Sequence, residues 1–312
     1  MLKKELVNWL DTFNNTTVPN LIAKGFKPTP INAREGLANL TKGFISNIPE
    51  VSIIFDDYIY NDDYNVPVRI YNPNPNKKLP VLIYFHGGGH MAGSVTVYDP
   101  ICRKLALKTN HIVVAVEYRL SPENPYPCGL IDSYNSLKYI WNTLDSRNIN
   151  YIKSLRIGGD SGGGAIVGSI VMKAQFDNNI TIDKMFMIYP SLDYTISFPS
   201  ITSNGKGYLL ESGKIQWYFN NYFKSGEDRK LASPIFNEVS ENIPNALIFT
   251  AEYCPLRDEG IEYVNKLKNV KVNVLHYNLD NMIHTFMNME DLCPEECNFV
   301  YNKINQFLNS NI

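Results

Sequence analysis

Hydrophobic and polar positions change their period twice along this 312-residue chain, and the changes divide it. Over the first fifty or so residues the apolar positions recur at helical spacing. Leu6, Trp9, Leu10 and Phe13 fall on one face, while Pro19, Pro28, Pro30 and Pro49 punctuate the run. That pattern predicts short helices with a buried stripe. From Val51 the signal becomes strand-like, with candidate strands over 51–60, 66–71, 81–85 and 112–117. Asn72-Pro73-Asn74-Pro75-Asn76 between them has the composition of a turn. Beyond Glu117, predicted helices (128–144, 161–176, 211–223, 258–268 and 295–308) alternate with predicted strands (155–158, 184–189, 246–251 and 271–277). Such alternation argues for an α/β fold, a mostly parallel sheet covered by helices. The segment 193–230 interrupts it with Phe198, Tyr208, Trp217, Tyr218, Phe219, Tyr222 and Phe223. Helix packing accounts for most of those rings, and a lid lining an apolar pocket is the functional alternative.

Composition narrows the class. A hydrophobic fraction of 44% with 19% charged residues describes a soluble globular chain, long enough for one large core or two domains. A net charge of −2 gives no electrostatic case for nucleic acid or an anionic membrane, and Lys77-Lys78 reads as solvated loop charge. No stretch approaches the roughly 18–20 apolar residues of a membrane span. The amphipathic start, 1–10, lacks the apolar core of a secretory signal, which points to the cytoplasm. Five cysteines form no metal-ligand pattern: Cys293 and Cys297 could share a helix face, but no second pair completes a site. Their odd number suits a reducing compartment.

Two glycine-rich motifs carry the chemistry. Ile157-Gly158-Gly159-Asp160-Ser161-Gly162-Gly163-Gly164 ends a short strand in a crowded turn with one serine at its tip, the G-x-S-x-G nucleophile elbow. His86-Gly87-Gly88-Gly89 follows the apolar run 81–85. Glycines there let backbone N–H groups approach the point where negative charge develops during acyl transfer. The expected oxyanion hole is Gly87 and Gly88 with Gly162 from the elbow. A phosphate-binding loop is the weaker alternative, because neither G-x-x-x-x-G-K-[ST] nor G-x-G-x-x-G follows. His86 reads as a structural brace for its loop.

With both motifs in place, the chain resembles the hormone-sensitive-lipase-like family of α/β-hydrolase esterases over nearly its full length. Tyr118-Arg119-Leu120-Ser121-Pro122-Glu123 with Pro125-Tyr126-Pro127 is similar to the family's Y-R-L-A-P-E-x-x-x-P. Asp99 to Ala106, Gly207 to Leu210, and Trp217 to Tyr222 also match family segments. Cys254-Pro255-Leu256-Arg257-Asp258-Glu259-Gly260 matches D-P-L-R-D-E-G except at its first position, and Met282-Ile283-His284-Thr285-Phe286 matches M-I-H-G-F with Thr285 for glycine. The resemblance implies an α/β-hydrolase domain over 51–312, with a helical cap made of 1–50 and an insertion at about 193–230. It implies a serine carboxylesterase for short-chain acyl esters, with an ester as its small-molecule partner and no metal or cofactor. The triad order Ser, Asp, His puts the nucleophile at Ser161, the base at His284 and the acid at position 254, which here is cysteine.

Three accounts of Cys254 stand open. Asp258, a helical turn on if the helix starts at Pro255, or Glu252, two residues back, could serve as surrogate acid. The thiol could act as a partial anion beside a helix N-terminus and an imidazolium, with activity climbing as pH rises. Or the enzyme is attenuated, since a neutral thiol is a weak acceptor and cannot match a carboxylate. The rival from another class is a non-catalytic, receptor-like binding protein on the same scaffold. Hydrolysis of amides or other acyl groups would keep the mechanism and change the substrate.

Overall fold

Runs rich in Val and Ile become the strands of a single sheet: β1 (Ile53–Ile59), β2 (Val66–Asn72), β3 (Leu79–Phe85), β4 (Ile112–Val116), β5 (Tyr151–Asp160), β6 (Lys184–Ile188), β7 (Asn245–Tyr253) and β8 (Val274–Ile283). The computed structural model describes residues 1–311. The spatial order is β1-β2-β4-β3-β5-β6-β7-β8. β2 runs antiparallel to both its neighbours, and every other pair is parallel. The order reverses at β3, so the loops after β3 and β5 leave side by side at the carboxyl edge, where open α/β sheets hold their ligands.

Burial on both faces explains why the central strands read as continuous apolar runs. In β3, Leu82 and Tyr84 point into one core with Tyr98, Phe186 and Phe249, while Val81, Ile83 and Phe85 point into the other. The helices are α1 (Lys4–Thr12), α2 (Val18–Ala23), α3 (Pro30–Phe44), α4 (Asp99–Thr109), α5 (Cys128–Ser146), α6 (Gly162–Ala174), α7 (Ser200–Ser203), α8 (Ser212–Tyr222), α9 (Arg229–Ala232), α10 (Arg257–Asn269) and α11 (Pro294–Leu308). Pro19 and Pro30 occupy first-turn positions of α2 and α3, where a missing N–H costs nothing. Of the predicted N-terminal stripe, Leu6 and Leu10 are buried, and Trp9 stacks on Phe13 with ring centroids 4.9 Å apart.

Most expected elements form, with shifted ends. The last strand starts at Val274 rather than 271, because Lys271 takes a left-handed φ of 64° in the turn closing α10. It then runs on to Ile283, which pairs with Tyr253. The helix after the elbow begins at Gly162, since Ser161 is not helical. α10 begins at Arg257, so Pro255 lies outside it.

Candidate active site

Ser161 joins β5 to α6 with φ 51° and ψ −118°, a conformation that residues with a Cβ rarely adopt. Its neighbours hold it there: Ser161 N–H donates to the Ile188 carbonyl at 2.9 Å, and Ser191 N–H donates to the Ser161 carbonyl at 3.1 Å. The turn is tight enough that a Cβ at Gly163 would collide with the Phe85 carbonyl, and one at Gly159 with the Gly163 carbonyl. The glycines thus let β3 and the elbow touch, and the serine hydroxyl stands at the tip.

His284 follows the end of β8 and is buried, with Nε2 2.8 Å from Ser161 Oγ and Nδ1 3.1 Å from Cys254 Sγ. Tyr189 packs against the imidazole with ring centroids 4.7 Å apart. Burial, and then the positive charge of Lys214, push the His284 pKa down to about 3. Thr285, at the glycine position of the motif, takes a left-handed φ of 70°, an outlier for a β-branched residue. Cys254 follows β7 and is fully buried, and its sulfur accepts the Leu256 N–H at 3.3 Å. Desolvation pushes the thiol well above its ordinary pKa, outweighing that hydrogen bond. That desolvation works against the partial-anion account of Cys254 and favours the neutral thiol.

Of the carboxylates offered as surrogate acids, that of Asp258 has other partners. Asp258 ties α7 to the first turn of α10. It accepts from Ser200 N–H at 2.9 Å and from Arg257 Nε at 2.8 Å, while its own N–H donates to Ser200 Oγ. Glu252 serves through its backbone carbonyl, which accepts from Asn204 Nδ2 and Arg257 Nη1. The partner of His284 Nδ1 is the thiol at position 254.

The glycine loop after β3 differs from expectation at one residue. Gly87 N–H donates to Asp160 Oδ1 at 2.8 Å, so it is not free for an oxyanion. Gly88 turns the chain with φ 122°. Gly88 and Gly89, not Gly87, line the cavity beside Ser161, and Gly162 abuts the amide nitrogens of Gly89 and His90. The available donors are thus Gly88, Gly89 and Gly162. Asp160 organises this corner, also accepting from Tyr84 OH at 2.8 Å and Tyr98 OH at 2.9 Å. Its burial raises the carboxyl to about 6 despite those three donors. His86 braces the loop as expected, with Nδ1 donating to the Gly87 carbonyl at 2.8 Å and its ring stacked on Tyr118.

Ser161 and His284 open onto a cavity of about 890 Å³. Its other walls come from Phe13 to Leu40 and from Lys206 to Phe219. Trp217, Tyr218 and Phe219 line it, whereas Tyr222 and Phe223 cluster around Tyr194 and Tyr208 packs on Tyr253. No group of three His, Cys, Asp or Glu side chains suited to a metal occurs among the described residues. The five cysteines are free, with Cys293 and Cys297 sulfurs 3.8 Å apart in the core.

A family model described as alpha/beta hydrolase fold matches residues 82–288, the span from β3 to just past His284. The chain belongs to the hormone-sensitive-lipase-like esterases of this superfamily. An ethyl acetate hydrolase of Pseudomonas putida is 30% identical over 240 residues, 75% of either chain. Carboxylesterase NlhH of Mycobacterium tuberculosis is 31% identical over 254 residues, 79% of either chain. Among solved structures, an esterase of Pyrobaculum calidifontis superposes with a TM-score of 0.87 at 29% identity, covering 98% of this chain and 97% of that one. This chain is accordingly a carboxylic ester hydrolase.

Sequence reasoning on this esterase missed Asp160, Gly89 and Lys214. Asp160 stood inside the elbow motif, and its adjacency to the serine was the available signal. The choice of Gly89 over Gly87 depends on the turn at Gly88, which spacing does not reveal. No helix is long and apolar enough to cross a membrane among the described residues.

Proposed function

We propose that this esterase hydrolyses short-chain acyl esters through a Ser161–His284 dyad whose imidazole rests on a neutral thiol. Ser161 Oγ attacks the ester carbonyl as His284 Nε2 takes its proton. Backbone N–H groups of Gly88, Gly89 and Gly162 hold the tetrahedral oxyanion. His284 then returns the proton to the leaving alcohol, and a water repeats the sequence on the acyl-enzyme. The tautomer able to accept the serine proton carries its hydrogen on Nδ1, which donates to Cys254 Sγ.

The single observation that carries this reading is the 2.8 Å approach of Ser161 Oγ to His284 Nε2 at the mouth of an apolar cavity. Cap helices from 1–50 and 193–230 supply the acyl and alcohol pockets and exclude water from the reacting carbonyl. A receptor-like protein that binds without turnover has no use for that contact. The test is steady-state hydrolysis of p-nitrophenyl acetate and butyrate by wild type, Ser161→Ala and His284→Ala. Both variants are expected to lose at least about 10³-fold in kcat. Retention of wild-type turnover in Ser161→Ala would overturn the assignment of the nucleophile.

A further inference from the structure

The catalytic cavity carries an ammonium group that the protein leaves without a counter-ion. Lys214 lies in the first turn of α8, on the wall of the cavity that also holds Ser161 and His284. Its Nζ takes part in no salt bridge among the described residues. The Lys214 side chain is exposed, and its surface faces the open cavity. Desolvation pulls its pKa below the ordinary lysine value, with Glu211 working the other way.

The wall around Lys214 holds little negative charge. A helix N-terminus repels positive charge. Ser212 N–H is satisfied by the Gly205 carbonyl, but the next two amides have no intrahelical acceptor at this position. Lys206, a second cavity lysine, adds positive charge. Glu211 is the one exposed carboxylate of this wall, and it already accepts from Gly207 N–H at 3.1 Å. Asp160, beneath Ser161, is committed to Tyr84, Tyr98 and Gly87. Cation, helix end and unfilled amides together favour an anion in this part of the pocket.

We propose that Lys214 makes this esterase selective for esters that carry a carboxylate on the acyl or alcohol arm, such as monoesters of dicarboxylic acids. The turnover half of the inference rests on the Ser161 reading, and the binding half on the cavity alone. The preference has a catalytic consequence. Lys214 opposes formation of the His284 imidazolium, and Cys254 supplies no negative charge to offset it. A substrate carboxylate seated on Lys214 cancels that opposition, so it raises kcat as well as lowering KM.

p-Nitrophenyl hemisuccinate and p-nitrophenyl butyrate test this directly, since they differ by a carboxylate in place of a methyl group. The ratio of their kcat/KM values is expected to fall about tenfold in Lys214→Met, and further in Lys214→Glu. Added salt should weaken the hemisuccinate reaction selectively. Calorimetry on Ser161→Ala reads the binding half, with monoethyl succinate and ethyl butyrate as probes. Preference for the succinate that disappears in Ser161→Ala/Lys214→Met supports the anion subsite even if wild type turns over neither ester, a result that would fell the Ser161 reading instead. If wild type hydrolyses both esters and Lys214→Met leaves their ratio unmoved, or the Ser161→Ala protein binds both probes equally, the inference is overturned and the esterase reading survives.

Discussion

A thiol in place of a carboxylate changes two things at His284. A carboxylate accepts hydrogen bonds only, so it forces the imidazole hydrogen onto Nδ1, whereas a thiol can donate or accept and leaves the tautomer unforced. A carboxylate also stabilises the imidazolium, and a buried neutral thiol does not. Cys254→Asp should therefore raise kcat on p-nitrophenyl butyrate by at least about tenfold, and should move the acid limb of the pH profile upward as His284 regains basicity. An unchanged rate would mean that position 254 does not limit the chain. Wild type has the opposite signature. With His284 held down to about 3, the base stays neutral in weak acid, so kcat/KM on a neutral ester should hold between about pH 5 and 8. No thiolate limb should appear near about pH 8–9, because burial keeps Cys254 protonated. A rise there that vanishes in Cys254→Ala would contradict this. Ser161, His284 and the anomaly at Cys254 were legible because each sits in a motif whose chemistry demands its residue type. The engagement of Asp258 with Ser200 was not, because Ser200 arrives from another segment.

At the scale of elements, Asp160 couples the elbow at the end of β5 to the glycine loop at the end of β3. Three donors converge on its buried carboxyl, one of them the Gly87 amide that fixes how the loop enters the turn at Gly88. Asp160→Asn replaces an acceptor with an amide donor facing Tyr98 OH or Gly87 N–H. We expect a stability loss of about 1–3 kcal/mol and a drop in kcat larger than any change in KM, as the oxyanion donors lose registry. Thermal unfolding and steady-state kinetics on one ester read both. Wild-type kinetics in a destabilised variant would reduce Asp160 to a packing role. The strands themselves were readable from apolar runs, and the N-terminal helices from their 3.6-residue stripe. Ends slipped where a backbone turn overrode the pattern, as at Lys271, and where pairing carried β8 on to Ile283.

Across the whole molecule, the N-terminal helices, α8 and the carboxyl edge of the sheet share one cavity, and its size is set by side chains far apart in sequence. Gly36 on α3 lines that cavity, and a Cβ there would meet nothing within 4 Å. Gly36→Phe should fold at least as well as wild type, since phenylalanine is the better helix former, and should fill the pocket. The expected result is a roughly tenfold fall in kcat/KM for p-nitrophenyl octanoate relative to acetate, with no loss of thermal stability. Equal effects on both esters would place the acyl chain elsewhere. The parallel α/β class was visible in the alternation of elements, but the strand order was not: β4 inserts between β2 and β3 without a sequence signal. The same long-range assembly brings α8 and its Lys214 to the cavity that His284 lines, 70 residues away along the chain.

The central claim, that Ser161 is acylated with His284 as base despite the thiol behind it, is tested most directly by the pre-steady-state reaction with p-nitrophenyl acetate. A burst of nitrophenolate matching the enzyme concentration, followed by slower steady turnover and absent in Ser161→Ala, is the predicted result. A burst that persists in Ser161→Ala, or no Ser161-dependent release at any pH, would contradict it.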